Sequence, residues 1–295
     1  MPRKIIISGA SGLIGSALVP ALRKQGDTVL RLVRREPQAS DEIFWQPDAY
    51  QIDTRHLEEA DAIIHLAGEN IATKRWTPRR KRQILQNRAK SSQLLHETVA
   101  RLEQPPKTLI IASAVGYYGL TNTPVTEDAA PGSGFAAEVC GQIEAPTQPP
   151  GIRTVYARFG VVTTLAGGAV GQMLPAFKLG LGGRLGSGTQ PFPWISRPDA
   201  VRALQFILET PEISGPVNVV NPRQVTNTDL TAALGQTLNR PTCLPMPAFM
   251  VKLLFGQMGE ELLLNGTPVI PQKLEDAGFS WQQASLQDAL MPENA

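Results

Sequence analysis

With 295 residues, 42% of them hydrophobic and 18% charged, the chain is long enough and apolar enough to bury one large core or two smaller ones, which excludes a disordered protein. The net charge is only +2, so no bulk field points to nucleic acid or to an anionic membrane. Two widely separated cysteines, Cys140 and Cys243, form no Cys-x-x-Cys pair, which argues against a structural disulfide or a zinc site and fits a reducing compartment.

Only three isoleucines stand before Ser8 and Gly9, too few for the apolar region of a signal peptide. No uninterrupted apolar run approaches membrane-spanning length. The expectation is a cytoplasmic protein with no metal, no membrane and no nucleic-acid partner. The one basic run, Lys74 to Gln83, reads as a solvated helix start, because no aromatic stacking platform accompanies it.

Taken in order, Lys4 to Ser8 is a short β-branched run of the kind buried on both faces of a parallel sheet. From Leu13 the apolar positions Ile14, Ala17, Leu18, Ala21 and Leu22 recur at helical spacing, and Gly26 stops that helix. A strand over Thr28 to Val33 follows. The alternation continues with a strand in Ala60 to Gly68, a long helix over 79–102 and a strand in Lys107 to Gly119 that ends in a loop. Next come a helix over 134–145 and a strand over 152–162. Strands alternating with helices predict an α/β, Rossmann-type doubly wound parallel sheet. After Thr164 a glycine- and proline-rich stretch reads as a lid or substrate loop. Pro198 to Leu208 and "GPVNVVN" then return to the first domain, and Thr226 to Ala295 form a mostly helical tail. The expected division is a cofactor domain over 1–165, with a returning segment near 198–221, and a smaller, mostly helical substrate region over 166–295.

Gly9-x-x-Gly12-x-x-Gly15 lies between the first strand and the first helix. There Gly9 permits a tight turn, Gly12 admits a pyrophosphate to the backbone, and Gly15 lets helix pack on strand. With Ser11, Leu13 and Ile14, these residues are the candidate dinucleotide cradle. Arg34 and Arg35 end the second strand, where an acid would bind a ribose hydroxyl and an arginine suits a 2′-phosphate, so NADP(H) is favoured over NAD. Solvated arginines beside Glu36 are the alternative.

The glycine motif, "DAIIHLAGENI", "ASAVGYYG", "VTEDAAPG" and "ARFGVV" together resemble an extended or atypical short-chain dehydrogenase/reductase of the nucleotide-sugar epimerase type. More narrowly, "AGENIATKRWT", "MLPAFKLGLGGRLGSGTQ" with "WI" following, and "PQKLEDAGF" are similar to the YfcH-like epimerase-family proteins, which carry their own C-terminal domain. The resemblance covers nearly the whole chain. It implies NADP(H) lying against Leu66, Ala67 and Gly68, with Ala112 and Ser113 near the nicotinamide and Phe159, Gly160 and Val161 bordering that ring.

The superfamily's Tyr-x-x-x-Lys pair, in which lysine lowers the tyrosine pKa for proton exchange, is missing. Whether the tyrosine position is Phe135 or Ala136, the partner four residues on is Val139 or Cys140. Ser113, Tyr117 and Tyr118 are the candidate catalytic residues instead, with a packing or substrate-lining ring as the other role for Tyr118. Cys140 reads as a small core residue and His65 as a hydrogen-bonded core histidine. Gly180 to Gly188 could place backbone donors and Arg184 around an anionic group, and Trp194 is a candidate pocket wall. Where the family has histidine after "WI", this chain has Ser196. The leading expectation is an NADP(H)-dependent oxidoreductase or nucleotide-sugar-type epimerase; the alternative is an NADP(H)-binding sensor or regulatory scaffold without turnover. No residue pattern names a substrate or an oligomeric state.

Overall fold

The computed structural model describes residues 2–146 and 148–291. Ten strands are assigned among them, β1 (Lys4–Ser8), β2 (Thr28–Val33), β3 (Glu42–Gln46), β4 (Gln51–Ile52), β5 (Ala62–His65), β6 (Thr108–Ala114), β7 (Arg153–Phe159), β8 (Val161–Thr163), β9 (Trp194–Ser196) and β10 (Gly215–Val219). Eight form one sheet in the order β10-β7-β6-β5-β1-β2-β3-β4, parallel throughout except for the antiparallel edge strand β4. The sequence order reverses at β1, flanked by β2 and β5, so the fold is a Rossmann-like doubly wound α/β sheet with its switch point there.

Both faces of the sheet are covered, as the continuous apolar strands require. Because side chains alternate along a strand, Ile5 and Ile7 enter one core and Ile6 the other. The first core packs against α1 (Gly15–Lys24) and α5 (Arg197–Glu209), through Leu18, Leu22, Leu204 and Ile207. The second packs against α2 (Pro78–Val99) and α3 (Phe135–Glu144), through Ile84, Leu95, Val139 and Ile143. Each such aliphatic side chain contributes about 1.5–3 kcal/mol on burial.

The glycine-rich stretch after Thr164 is more ordered than a loop. It contains α4 (Gly168–Lys178), whose Val170 and Phe177 are buried with Trp194 and with Leu230 and Leu234 of α6 (Asn227–Leu238). Burial of that stripe outweighs the cost of Gly171 and Pro175 inside the helix. β9 pairs with β8 in a separate two-stranded parallel sheet, and β10 returns to the main sheet beside β7. The tail holds α7 (Ala248–Leu262), kinked at Gly256, then α8 (Gln272–Asp276) and α9 (Leu286–Ala289). Among the described residues no helix is long and apolar enough to cross a membrane.

Candidate functional site

Two cavities lie on the side of the sheet where the strands end in their carboxyl termini. The first, of about 580 Å³, is bounded by Gly9 and Ser11 after β1, by Arg34 and Arg35 after β2, and by Ala67 and Gly68 after β5. Gly9 turns the chain with φ +72, and a side chain there would sit 2.7 Å from the Ala67 nitrogen. One at Gly15 would sit 2.2 Å from the Gly9 carbonyl, so the helix reaches the strand only because both are glycine. Helix α1 begins at this turn with no side-chain cap and no acid in its first turn; the Ser16 and Ala17 amides bond to the Gly12 and Ile14 carbonyls, which leaves the Leu13, Ile14 and Gly15 amides and the positive dipole end for a ligand. A close-packed glycine turn feeding an uncapped helix start fits a pyrophosphate.

Arg34 is exposed at the far end of this cavity and has no polar partner among the described residues. Arg35 grips Glu42 with two bonds of 2.8 and 2.6 Å. Glu42, which also lines the cavity, takes Arg31 at 3.2 Å as well, and this pairing holds its carboxyl below the usual range. A carboxylate neutralised by two guanidinium groups leaves Arg34 as the uncommitted cation.

One buried relay ties the cavity floor together. The Ala67 N–H donates to Ser8 Oγ (3.3 Å), Ser8 meets His65 Nδ1 (2.6 Å), His65 Nε2 meets Ser91 Oγ (3.1 Å), and Ser91 donates to the Arg88 carbonyl. These directions leave Nδ1 as acceptor and Nε2 as donor, the neutral imidazole, and burial pushes the His65 pKa down to about 3. Its environment is thus that of a hydrogen-bonded core histidine.

Arg88 of α2 was not singled out from the sequence. Its guanidinium lies over Gly68, donates to the Glu69 carbonyl at 3.0 Å, and has a buried Nε without a partner among the described residues. A charge-bearing residue in register with the buried stripe Ile84, Ser91 and Leu95 was the signal that could have found it. Burial lowers its pKa, opposed by the nearby Cys140 and Glu69.

The second cavity, of about 420 Å³, lies between the ends of β6 and β7 and the helical region, with Val115, Val161, Met173, Leu230 and Met258 in its walls. The glycine turn separates the two cavities on one side, since Leu13 packs against Gly167 and Gly168 at the start of α4. Arg197 braces that turn from α5, donating to the Leu13 carbonyl at 2.7 Å and to Ser16 Oγ at 3.0 Å.

None of Ser113, Tyr117 and Tyr118 lines either cavity. Ser113 donates to Glu144 at 2.6 Å, and Glu144 takes Arg158 at 3.0 and 2.7 Å. Tyr118 accepts from Arg158 at 2.9 Å and donates to Asn218 at 2.6 Å, while the Arg158 guanidinium stacks 3.5 Å from the centre of the Tyr117 ring. Burial raises the Tyr118 pKa, against the Arg158 contact that lowers it. The expected catalytic trio thus lies in a network of hydrogen bonds and stacking that joins β6, β7, α3 and β10.

Other expected positions divide as follows. Gly12, Ile14 and Gly15 build the turn and the helix start; Leu66, Ala112 and Phe159 pack into the first core. Gly160 lets the chain pass the Pro193 carbonyl, and Val161 alone of its trio reaches the second cavity. Trp194 is fully buried, donating to the Arg223 carbonyl, and does not wall the cavity. Arg184 is exposed and lies outside the lining. The amides of Gly186 and Gly188 are spent on the Met246 and Leu185 carbonyls, so this loop is a backbone seam rather than an anion cradle. Ser196 is buried and caps α5 by accepting from the Asp199 N–H. Cys140 is a buried free thiol that burial pushes up to about 11. In the basic run, Arg80 pairs with Glu69, Arg75 with the Leu253 carbonyl and Lys81 with Gln257.

At the first turn of α3, where the superfamily's tyrosine would stand, the Glu261 carboxylate of α7 accepts from the Phe135 and Ala136 amides at 3.2 and 3.0 Å. It is the one ionisable side chain in the lining of the second cavity.

Comparison with known proteins matches two segments of the chain. Residues 5–221 match the NAD dependent epimerase/dehydratase family, and residues 246–291 match a domain of unknown function, DUF1731. An epimerase family protein of Mycobacterium bovis, Mb2239, is 45% identical, covering 97% of this chain and 96% of that one. The crystal structure of human epimerase family protein SDR39U1 with NADPH superposes with a TM-score of 0.89 at 32% identity, covering 97% of each chain. A nucleoside-diphosphate sugar epimerase from Corynebacterium glutamicum superposes with a TM-score of 0.80 at 33% identity, covering 98% of this chain and 57% of that one. The glycine turn, the switch-point cavity and the matched segment coincide, and the chain belongs to the NAD dependent epimerase/dehydratase family.

Proposed function

We propose that this protein is an NADP(H)-dependent oxidoreductase that holds the dinucleotide in the first cavity and a small substrate in the second. The single observation that carries the cofactor choice is Arg34, an uncommitted guanidinium at the end of β2, with the neighbouring acid Glu42 already neutralised by Arg35 and Arg31. The NADPH bound to human SDR39U1 supports the same choice. When bound, the cofactor supplies or accepts a hydride. The chain's own part is to bind the pyrophosphate on the amides of the glycine turn at the start of α1, to fix the 2′-phosphate with Arg34, and to keep the floor rigid through the Ser8–His65–Ser91 relay.

Fluorescence titration with NADPH and NADH tests this. NADPH is expected to bind tighter, and Arg34→Ala to lose about tenfold, 1.4 kcal/mol, for NADPH alone. Equal affinities in the unaltered protein overturn the cofactor choice.

One observation favours a second reading, a cofactor-bound sensor without turnover: Phe135, Ala136, Val139 and Cys140 are all buried apolar groups on α3. Substrate-dependent NADPH oxidation by pooled metabolites decides between the two.

A further inference from the structure

The second cavity carries no cation. Among the residues lining it there is no lysine, arginine or histidine, and its one carboxylate, Glu261, is held by two amides of α3 and by Gln257. The other polar side chains on its inner wall are neutral and spend part of their hydrogen-bonding capacity on the fold. Gln190 donates to the Leu185 and Leu263 carbonyls at 3.1 and 2.8 Å, and Asn227 accepts from the Leu185 amide at 2.8 Å. Thr267 donates to the Gly119 carbonyl at 2.6 Å, and Asn265 to the Glu260 carbonyl at 2.7 Å. Ser133 and Gln172 are exposed at the mouth, not set in the wall. Gln190 Oε1, which is buried, together with Asn227 Nδ2 and Asn265 Oδ1, has no partner among the described residues, so the lining offers a ligand a few neutral hydrogen-bonding atoms. Most of what faces the cavity is aliphatic, aromatic and thioether surface.

Beside Ser133 and Gln172, three leucines line the mouth: Leu120, Leu181 and Leu244 remain 52%, 57% and 53% exposed. Methionines 173, 246 and 258 give the wall unbranched side chains that adapt to shape. A diphosphate in such a space would lose its hydration with no cation in return, a large cost for a buried charge even though the uncapped start of α4 brings the Ala169 and Val170 amides to the lining. In the neighbouring glycine loop the Gly186 and Gly188 amides bond to carbonyls, and Arg184 lies outside the lining.

From this we infer that the substrate of the second cavity is a neutral, largely apolar alcohol or its carbonyl partner, not a nucleotide-linked sugar. The inference rests on the oxidoreductase reading for the reaction, but on the cavity lining alone for the chemical class.

The test uses the full chain, with and without NADPH, and prodan, a neutral naphthyl ketone, as the probe. Prodan is expected to bind saturably with blue-shifted emission and to lose at least tenfold in affinity in Met173→Lys, which places a charge on the wall. Met173→Trp, which fills the space without adding charge, gives the same loss and separates occupancy from misfolding. Calorimetry with UDP-glucose is expected to show no saturable binding. Saturable UDP-glucose binding, absence of prodan binding, or prodan affinity unchanged in both variants overturns the assignment. NADPH affinity is read separately: its absence with prodan binding intact removes the cofactor reading and supports the class assigned to the cavity.

Discussion

The guanidinium of Arg88 occupies the space that a side chain at position 68 would need: a Cβ on Gly68 would fall 2.1 Å from Arg88 Cζ. The glycine that ends the β5 segment is thus a seat for a buried cation as well as part of a cofactor floor. In Gly68→Ala the flexible arginine tip, not the backbone, gives way. We expect a stability loss of about 1 kcal/mol, the net worth of the hydrogen bond to the Glu69 carbonyl, together with several-fold weaker NADPH binding. Urea unfolding and cofactor titration check the two effects, and unchanged affinity would detach Arg88 from the cofactor.

Gly9→Ala meets a different obstacle. Its new Cβ is blocked by backbone atoms of Leu66 and Ala67, and the residue must keep φ +72. The left-handed conformation costs about 1–2 kcal/mol, and overpacking about 1–3 kcal/mol more. A combined loss of several kcal/mol with loss of NADPH binding is expected, measured by the same two methods.

Tyr118→Phe separates a structural from a catalytic role. Removing the hydroxyl leaves Asn218 and Arg158 each short of a partner, a cost of about 1–3 kcal/mol, with no selective effect on turnover. Glu144→Gln, which leaves Arg158 buried without its counter-ion, is expected to cost about 3–5 kcal/mol. A Tyr118→Phe protein that keeps full stability but loses turnover would return Tyr118 to the reaction.

Acid sensitivity follows from the buried histidines. Burial pushes His65 down to about 3 and lowers His96 too, whereas both titrate near 6.5 in an unfolded chain. Folded values below unfolded ones mean that their contribution is complete above about pH 6.5 and drains as pH falls from there toward about 3. Asp41, held down to about 2 by Arg31 and then Arg23, begins to lose its contribution only below about 3.9. Urea unfolding between about pH 7 and 4.5 therefore reports the histidines, and His65→Asn should flatten the slope there. An unaltered slope would show that His65 is not the group responsible.

The strands β1, β2, β5, β6 and β7 and the glycine turn were legible because period, burial and glycine spacing are local properties. Strand β3, only "EIFWQ", was not read, since its place is fixed by pairing with β2 and by burial of Trp45. Helix α4 was hidden by its glycines and Pro175, local penalties that packing against Trp194 and Leu230 overrides. The roles of Tyr118 and Ser113 were illegible for another reason: their partners Asn218 and Glu144 lie 100 and 31 residues away. Proximity in a motif revealed which residues cluster, not what their hydroxyl groups touch.

The bond from Glu261 to the opening amides of α3 crosses from one matched family segment to the other. Grafting the tail of a relative onto this chain would therefore leave a helix start unsealed unless the donor brings its own acid to that spot. The two segments are best exchanged as a pair.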